Sequence, residues 1–341
     1  MDTSAAFAYT NAKAGGILSK SFVGSRAEKL FSVKSLRELY SLLFSSDAPH
    51  IPEAMLAKEI EVQAEKSFID SFVKLIKNFS SPSPIFSALL HFYDYDNLKE
   101  IVAALSLGER EMPKIADVHE FSLLNYKAWP NLKKITADSP VSWYNEIPGI
   151  EEQQNADSRL DSQYIEELWN AVESLPASER VLAKRLIGAE ISSRNMLWVI
   201  RLKVYYKMDS DKIRAQLAFA NKKAKKSDVL AGEALSIIEK DVGNFDDWKN
   251  WKYADHLNPH ENGVIWEIDP VWVERAFRRD FVRMAIRSFH KNPMSVMSLV
   301  SWFKIKQNEL DSIRTVAEGL RLGETSKKLM AVAEFSDENN N

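Results

Sequence analysis

Apolar residues recur along this chain at the spacing of an α-helix, and little interrupts them. Leu160, Tyr164, Ile165, Leu168, Ala171, Val172 and Leu175 lie on one face of a 3.6-residue helix. Pro176 breaks that stripe, and another follows through Val181, Leu182 and Leu186 to Trp198. Residues 54–79 read the same way and end at Ser80-Ser81-Pro82-Ser83-Pro84. Only 11 of 341 residues are glycine and 12 are proline, where a usual chain has about 7% glycine. Sandwiches, barrels and dinucleotide-binding sheets consume glycine at their turns, so this scarcity favours long helices. The one short stretch with a strand-like pattern is 263–268 (GVIWEI). The fold class expected is all-α. Pro130, Pro140 and Pro148 gather before Gly149, which makes 130–150 the expected linker, and the polar residues 336–341 are expected to fray.

Composition narrows the function more than it defines it. The 45 basic and 48 acidic residues give a net charge of −3, which offers no general attraction for nucleic acid. The absence of cysteine excludes disulfides, thiolate metal sites, iron–sulfur clusters and a cysteine nucleophile. The first residues, MDTSAAFAYTNAKAGG, show no basic stretch followed by an apolar one, so no signal peptide is expected and an intracellular setting is. No run approaches the roughly 18 apolar residues of a membrane-spanning helix.

An internal repeat carries more information. Residues 94–109 (DYDNLKEIVAALSLGE) align without a gap to 309–324 (ELDSIRTVAEGLRLGE). Asp96 matches Asp311, Leu105 matches Leu320, and the ending Leu107-Gly108-Glu109 matches Leu322-Gly323-Glu324. Asp94 with Glu309, Leu98 with Ile313, Lys99 with Arg314 and Ile101 with Val316 are chemically alike. A looser copy lies at 190–203 (EISSRNMLWVIRLK), where Asn195-Met196 parallels Asn97-Leu98. Each copy reads as a polar residue followed by an amphipathic helix. In the two close copies a glycine stands where a left-handed residue ends a helix. The unit is therefore used about three times.

The sequence holds several suggestive motifs that do not complete a reactive site. Gly15-Gly16-Ile17-Leu18-Ser19-Lys20-Ser21 resembles a phosphate loop, but Ser19 and Ala14 occupy the two positions that require glycine. The expected alternative there is a helix start with a flexible glycine pair. His256 and His260 have zinc-helix spacing, but Pro259 interrupts any helix between them and no third ligand is evident. Asp246-Asp247 could begin a magnesium site, yet Asn250 and Trp251 stand one turn on instead of a carboxylate. A polar loop with Trp248 and Trp251 packed beneath it is the simpler expectation. Lys222, Lys223, Lys225 and Lys226 form a basic cluster. Arg275, Arg279, Arg283 and Arg287 form a stripe that drifts about 40° per step around a helix. Phe277, Phe281, Met284 and Phe289 share the apolar side of that helix. The stripe reads either as a solvated flank or as a positive surface for an acidic partner or lipid headgroups.

Four stretches in order resemble the C-type central-stalk component of the archaeal and bacterial V-type ATPase/ATP synthase, whose eukaryotic counterpart is the d-type component. They are Tyr9-Thr10-Asn11-Ala12-Lys13-Ala14 with Leu36-Arg37-Glu38-Leu39; Asp94-Tyr95-Asp96-Asn97-Leu98-Lys99; Leu160-Asp161-Ser162-Gln163-Tyr164 leading to Glu190-Ile191, Asn195-Met196, Arg201 and Lys203; and Lys304-Ile305-Lys306-Gln307-Asn308-Glu309-Leu310 with Ile313-Arg314. Ser192 stands where that family often has aspartate, Ser312 where it often has asparagine, and 241–270 matches nothing in it.

The resemblance implies an all-α, three-lobed, funnel-like body with pseudo-threefold internal repeats. The lobes would be 1–129, 130–225 and 226–335, with 336–341 a disordered tail. It implies a non-catalytic central-stalk rotor subunit without cofactor or metal. Such a protein sits on the cytoplasmic side of the membrane, couples the D–F shaft of the motor to the proteolipid c-ring, and transmits torque for proton or sodium-ion transport. Asn97, Asn195, Glu309 and Arg314 would then fix helix starts and inter-helix hydrogen bonds, and the stripe Arg275, Arg279, Arg283 and Arg287 would meet a partner. The alternatives are a helical-repeat adaptor outside any rotary motor, and an all-α enzyme using the acidic and histidine residues of 246–261.

Overall fold

A computed structural model describes residues 3–221, 226–261 and 263–332. Among these the chain forms fourteen α-helices and no strand. Its contacts gather into two units, residues 1–147 with 289–341 and residues 148–288. The division after 147 falls inside the stretch expected as a linker. Residues 336–341 and three lysines of the basic cluster, Lys222, Lys223 and Lys225, lie outside the described residues.

The first unit contains α1 (Thr3–Leu18), α2 (Glu28–Ser32), α3 (Leu36–Phe44), α4 (Glu53–Ile76), α5 (Pro84–Ser106) and α6 (Leu132–Thr136). The second contains α7 (Ile150–Glu173), α8 (Ala177–Tyr206), α9 (Ser210–Ala215), α10 (Gly232–Ile237), α11 (Phe245–Trp248) and most of α12 (Pro270–Lys291). The chain then returns to the first unit through α13 (Val296–Arg321) and α14 (Ser326–Val332). The six long helices come as three sequential pairs, α4 with α5, α7 with α8 and α12 with α13, joined by the short segments 77–83, 174–176 and 292–295.

Proline and glycine set these boundaries. Pro176 directly precedes α8, and Pro84 opens α5 at the position where a missing N–H costs nothing. Gly108 and Gly323 follow α5 and α13 with φ of +71° and +79°. Glu109 N–H then donates to Ala104 O at 3.0 Å, and Glu324 N–H donates to Gly319 O at 2.9 Å. The shared Leu-Gly-Glu ending is therefore one helix-stopping motif used twice.

The core of the first unit is aromatic. Phe68 and Phe72 on α4 meet Trp302 and Phe303 on α13, with the Phe72–Phe303 centroids at 4.7 Å and Phe68–Phe303 at 4.9 Å. Phe72 also lies parallel to Trp302 at 6.0 Å and edge-on to Phe86 of α5 at 6.0 Å. The buried Trp302 indole needs an acceptor, and it donates to Ala14 O of α1 at 3.1 Å. In the second unit Met196, Val199 and Ile200 of α8 pack with Ile237, Trp248, Trp251, Trp266 and Phe277. The tryptophan-rich segment 241–270 thus supplies core to α8 and α12.

Three expectations are corrected here. Residues 263–268 form no strand: Ile268 N–H bonds to Val242 O, Trp266 and Ile268 are buried, and Val264 and Ile265 face solvent, so no ladder develops. Gly15 and Gly16 lie inside α1 near its end rather than at a helix start. The repeated polar residues sit midway along their helices, Asn97 in α5, Asn195 in α8 and Glu309 in α13, and so do not fix helix starts. The long helices begin well before the repeated polar residues, at Pro84, Ala177 and Val296.

Replacing Gly108 or Gly323 by alanine should lower unfolding stability by about 1–2 kcal/mol each, the cost of a Cβ in left-handed backbone. Gly15→Ala should raise it by up to about 1 kcal/mol, because a Cβ there meets nothing within 4 Å inside a helix. Urea midpoints of the three variants check both signs.

Candidate functional site

The repeated polar residues act as grips on irregular chain. Asn97 is buried on the flank of α5, and its Nδ2 donates to Ala116 O at 2.7 Å while its Oδ1 accepts from Ala116 N–H at 2.9 Å. Asn195 does the same on α8: Nδ2 donates to Ala218 O at 2.8 Å and Oδ1 accepts from Ala218 N–H at 3.0 Å. Its Nδ2 also donates to Leu230 O at 2.9 Å. Each asparagine pairs with both backbone groups of a single alanine in the segment that follows its helix. A carboxamide can do this because it carries one donor group and one acceptor in one plane.

The third copy uses an acid instead. Glu309 is 4% exposed, and its Oε1 accepts Phe22 N–H at 2.5 Å. Lys306 Nζ bonds the other oxygen and also donates to Ser21 Oγ at 3.0 Å. Asp94 plays the matching part in the first copy, one turn before Asn97. It accepts Leu123 N–H at 2.7 Å, Ser122 Oγ at 2.9 Å and Tyr126 Oη at 2.5 Å. Burial pushes the Asp94 carboxyl above its ordinary 3.8, against the opposing pull of those donors. Burial and the adjoining Asp94 raise the Tyr126 hydroxyl as well. Where asparagine would stand, Ser312 turns its Oγ back to Asn308 O at 3.0 Å and grips no following segment among the described residues. The first copy thus keeps both grips, the second keeps the asparagine, and the third keeps the acid.

Charged contacts tie the same helices to others. Arg314 of α13 pairs with Glu65 of α4, and Arg201 of α8 pairs with Glu274 of α12 at 2.5 Å. Burial raises the Glu65 carboxyl while Arg314 lowers it. Lys203 Nζ donates to the carbonyls of Ile238, at 2.6 Å, and Lys240, just past the C-terminus of α10. Burial lowers that ammonium below its ordinary value.

The remaining motifs disperse. His256 meets Asp280 at 2.8 Å, whereas His260 stacks on Phe245 with centroids 4.4 Å apart, so the two rings serve different elements. Asp247 accepts Asp241 N–H at 3.0 Å, Asp246 pairs with Lys249 at 3.1 Å, and Trp248 and Trp251 are buried beneath them. The N–H groups of Ser19, Lys20 and Ser21 bond to the carbonyls of Gly15, Ile17 and Leu18, so they do not point at a phosphate. On α12, Arg279, Arg283 and Arg287 are exposed and Arg275 is half-buried, while Phe277 and Phe289 face inward.

The sequence profile of the ATP synthase (C/AC39) subunit family matches residues 10–330. The chain belongs to that family. An uncharacterized protein of Treponema pallidum (strain Nichols) is 30% identical over 328 residues, covering 94% of each chain. The four grips at Asp94, Asn97, Asn195 and Glu309 therefore lie in an ATP synthase subunit fold and bind the chain to itself.

One organising residue escaped the sequence reading. Asp228 is buried, and its carboxylate accepts the N–H groups of Ala220, Asn221, Leu230 and Ala231 at 2.9–3.2 Å. It accepts the amides two and three residues on, as a capping side chain does, but it stands four residues before α10, so the sequence gives little signal of it. With Asn195 it fixes both sides of the segment between α9 and α10.

Asn195→Leu should cost about 3 kcal/mol in urea unfolding, because Ala218 and Leu230 lose partners for buried polar groups. Exposed Asn155→Ala should stay within about 0.5 kcal/mol. Asp94 adds a pH dependence. Its folded pKa lies above 3.8, so its contribution to stability is full below that value and is lost as pH rises through the raised one. The stability of the native protein relative to Asp94→Asn should fall as pH rises from the carboxylate range, measured by unfolding at a series of pH values.

Proposed function

We propose that the chain is the central-stalk rotor subunit of a V-type (A/V-type) rotary ATPase. It acts as a socket that couples the D–F shaft to the membrane proteolipid c-ring, and it transmits torque for ATP-linked proton or sodium-ion transport. The observation that carries this reading is the family match along nearly the whole chain. Three lobes, one for each pair of long helices, would form a funnel-like body around a pseudo-threefold axis, with the boundaries 129/130 and 225/226. The role is mechanical, without a catalytic centre, cofactor or metal of its own.

The physical character of the chain suits that work. Torque reaches a partner only through a body that does not yield, and buried grips and aromatic packing provide stiffness. No described helix is long and apolar enough to cross a membrane. Attachment on the cytoplasmic side would then run through the ring. The stripe of Arg275, Arg279, Arg283 and Arg287 is the proposed partner face, where guanidinium groups meet acidic side chains or lipid headgroups.

A tagged full-length chain should co-purify with a proteolipid ring and with the D–F shaft, and the isolated chain should hydrolyse no ATP. Recovery without either partner would contradict the rotor role. Arg279→Glu combined with Arg283→Glu should leave helical content unchanged and weaken binding to the ring or the shaft. Wild-type binding at that face should also fall with added salt. Unchanged affinity for both partners would show that the stripe is only a solvated flank.

A further inference from the structure

A cavity of about 790 Å³ opens in the first unit between α1, α3, α4 and α13. Small-molecule sites have volumes of about 300–1,000 Å³, with mostly apolar walls and a few polar groups. Ile17, Phe22, Phe44, Phe68, Leu310 and Ile313 supply the apolar walls here. The charged groups are Lys13, Lys20, Lys306 and Glu309. Glu309 and Lys306 are spent on each other, on Phe22 N–H and on Ser21 Oγ, so together they form a neutral floor.

Lys13 and Lys20 are different. Neither has a carboxylate partner among the described residues, and the Lys13 ammonium lies over the Tyr9 ring, 5.4 Å from its centroid. The cavity therefore combines apolar walls with an uncompensated positive charge of two. An inorganic anion would satisfy the ammonium groups and leave the walls wet. A neutral apolar molecule would fill the space and leave the charges unused, and an organic cation would be repelled.

We propose that this cavity binds a single-chain anionic amphiphile. Its hydrocarbon chain lies among Ile17, Phe22, Phe44, Phe68, Leu310 and Ile313, and its carboxylate or phosphate head sits beside Lys13 and Lys20. The inference goes beyond the rotor role and does not depend on it. Gly16 also lines the cavity, and a Cβ there would meet nothing within 4 Å. A side chain at position 16 thus starts in open space at the cavity lining, and leucine favours the helix over glycine.

The test is calorimetric titration of the full chain with dodecanoate, dodecyl phosphate, dodecylammonium and inorganic phosphate, all below micelle formation. One site for dodecanoate or dodecyl phosphate is expected, and the tighter of the two separates a fatty-acid source from a single-chain lysophospholipid one. Lys13→Gln with Lys20→Gln should weaken that binding by at least about tenfold, the loss of one charge-assisted hydrogen bond. Gly16→Leu should abolish it while circular dichroism stays unchanged. The proposal is overturned if neither anion binds the native chain, or if dodecylammonium or inorganic phosphate binds as well as they do. It is equally overturned if both variants bind like the native chain.

Discussion

A buried asparagine on a helix flank must satisfy a donor and an acceptor at once, and the backbone of one residue offers both. Asn97 and Asn195 solve that problem in the same way, each closing on a single alanine, Ala116 or Ala218. The segments they hold have little regular structure of their own. Residues 107–131 contain only two short 3-10 turns, and the described residues of 216–231 contain no helix. Without the grips, backbone groups in these stretches would face apolar helices with no partner, at a cost of about 1–3 kcal/mol each. The long helices are stable through packing, but the connections between them depend on a few polar side chains.

The carboxylate version closes the first unit at its two ends. Glu309 near the end of the chain takes Phe22 N–H near its beginning. Trp302 reaches Ala14 and Ser326 reaches Val33 O at 2.7 Å, so the N-terminal segment is fastened to the C-terminal helices at three points. A carboxylate has no donor, so it takes the N–H of Phe22 but cannot also take a carbonyl, and Lys306 balances its charge. Such fastening orders a terminal segment, which is otherwise the part of a domain most prone to disorder.

The sequence made the helices readable because their information is local. The stripe from Leu160 to Leu175 and the Leu-Gly-Glu endings each refer to neighbours within one or two turns, and α7, α5 and α13 follow them. The grips were readable only as a recurrence. Nothing near Asn97 names Ala116, which lies in an aperiodic segment, and the repeat marks the residue without showing its partner. That is why the polar positions looked like helix starts. Asp228 and the cavity left still less trace. Asp228 gathers four amides from an irregular turn, and the cavity draws its walls from helices at both ends of the chain. The stretch 263–268 misled because tryptophan and β-branched residues suit a strand, whereas here Trp266 and Ile268 only anchor a loop.

Hydrogen exchange at single amides tests the central claim, that three side chains fix the connecting segments to the long helices. The amides of Ala116, Ala218 and Phe22 should exchange as slowly as those in the middle of α5, α8 and α13, because each opens only when its grip is broken. The amide of Ala116 should become fast in Asn97→Leu while the α5 core stays slow. Exchange of these three amides in the native protein at the rate of exposed loop residues would contradict the claim.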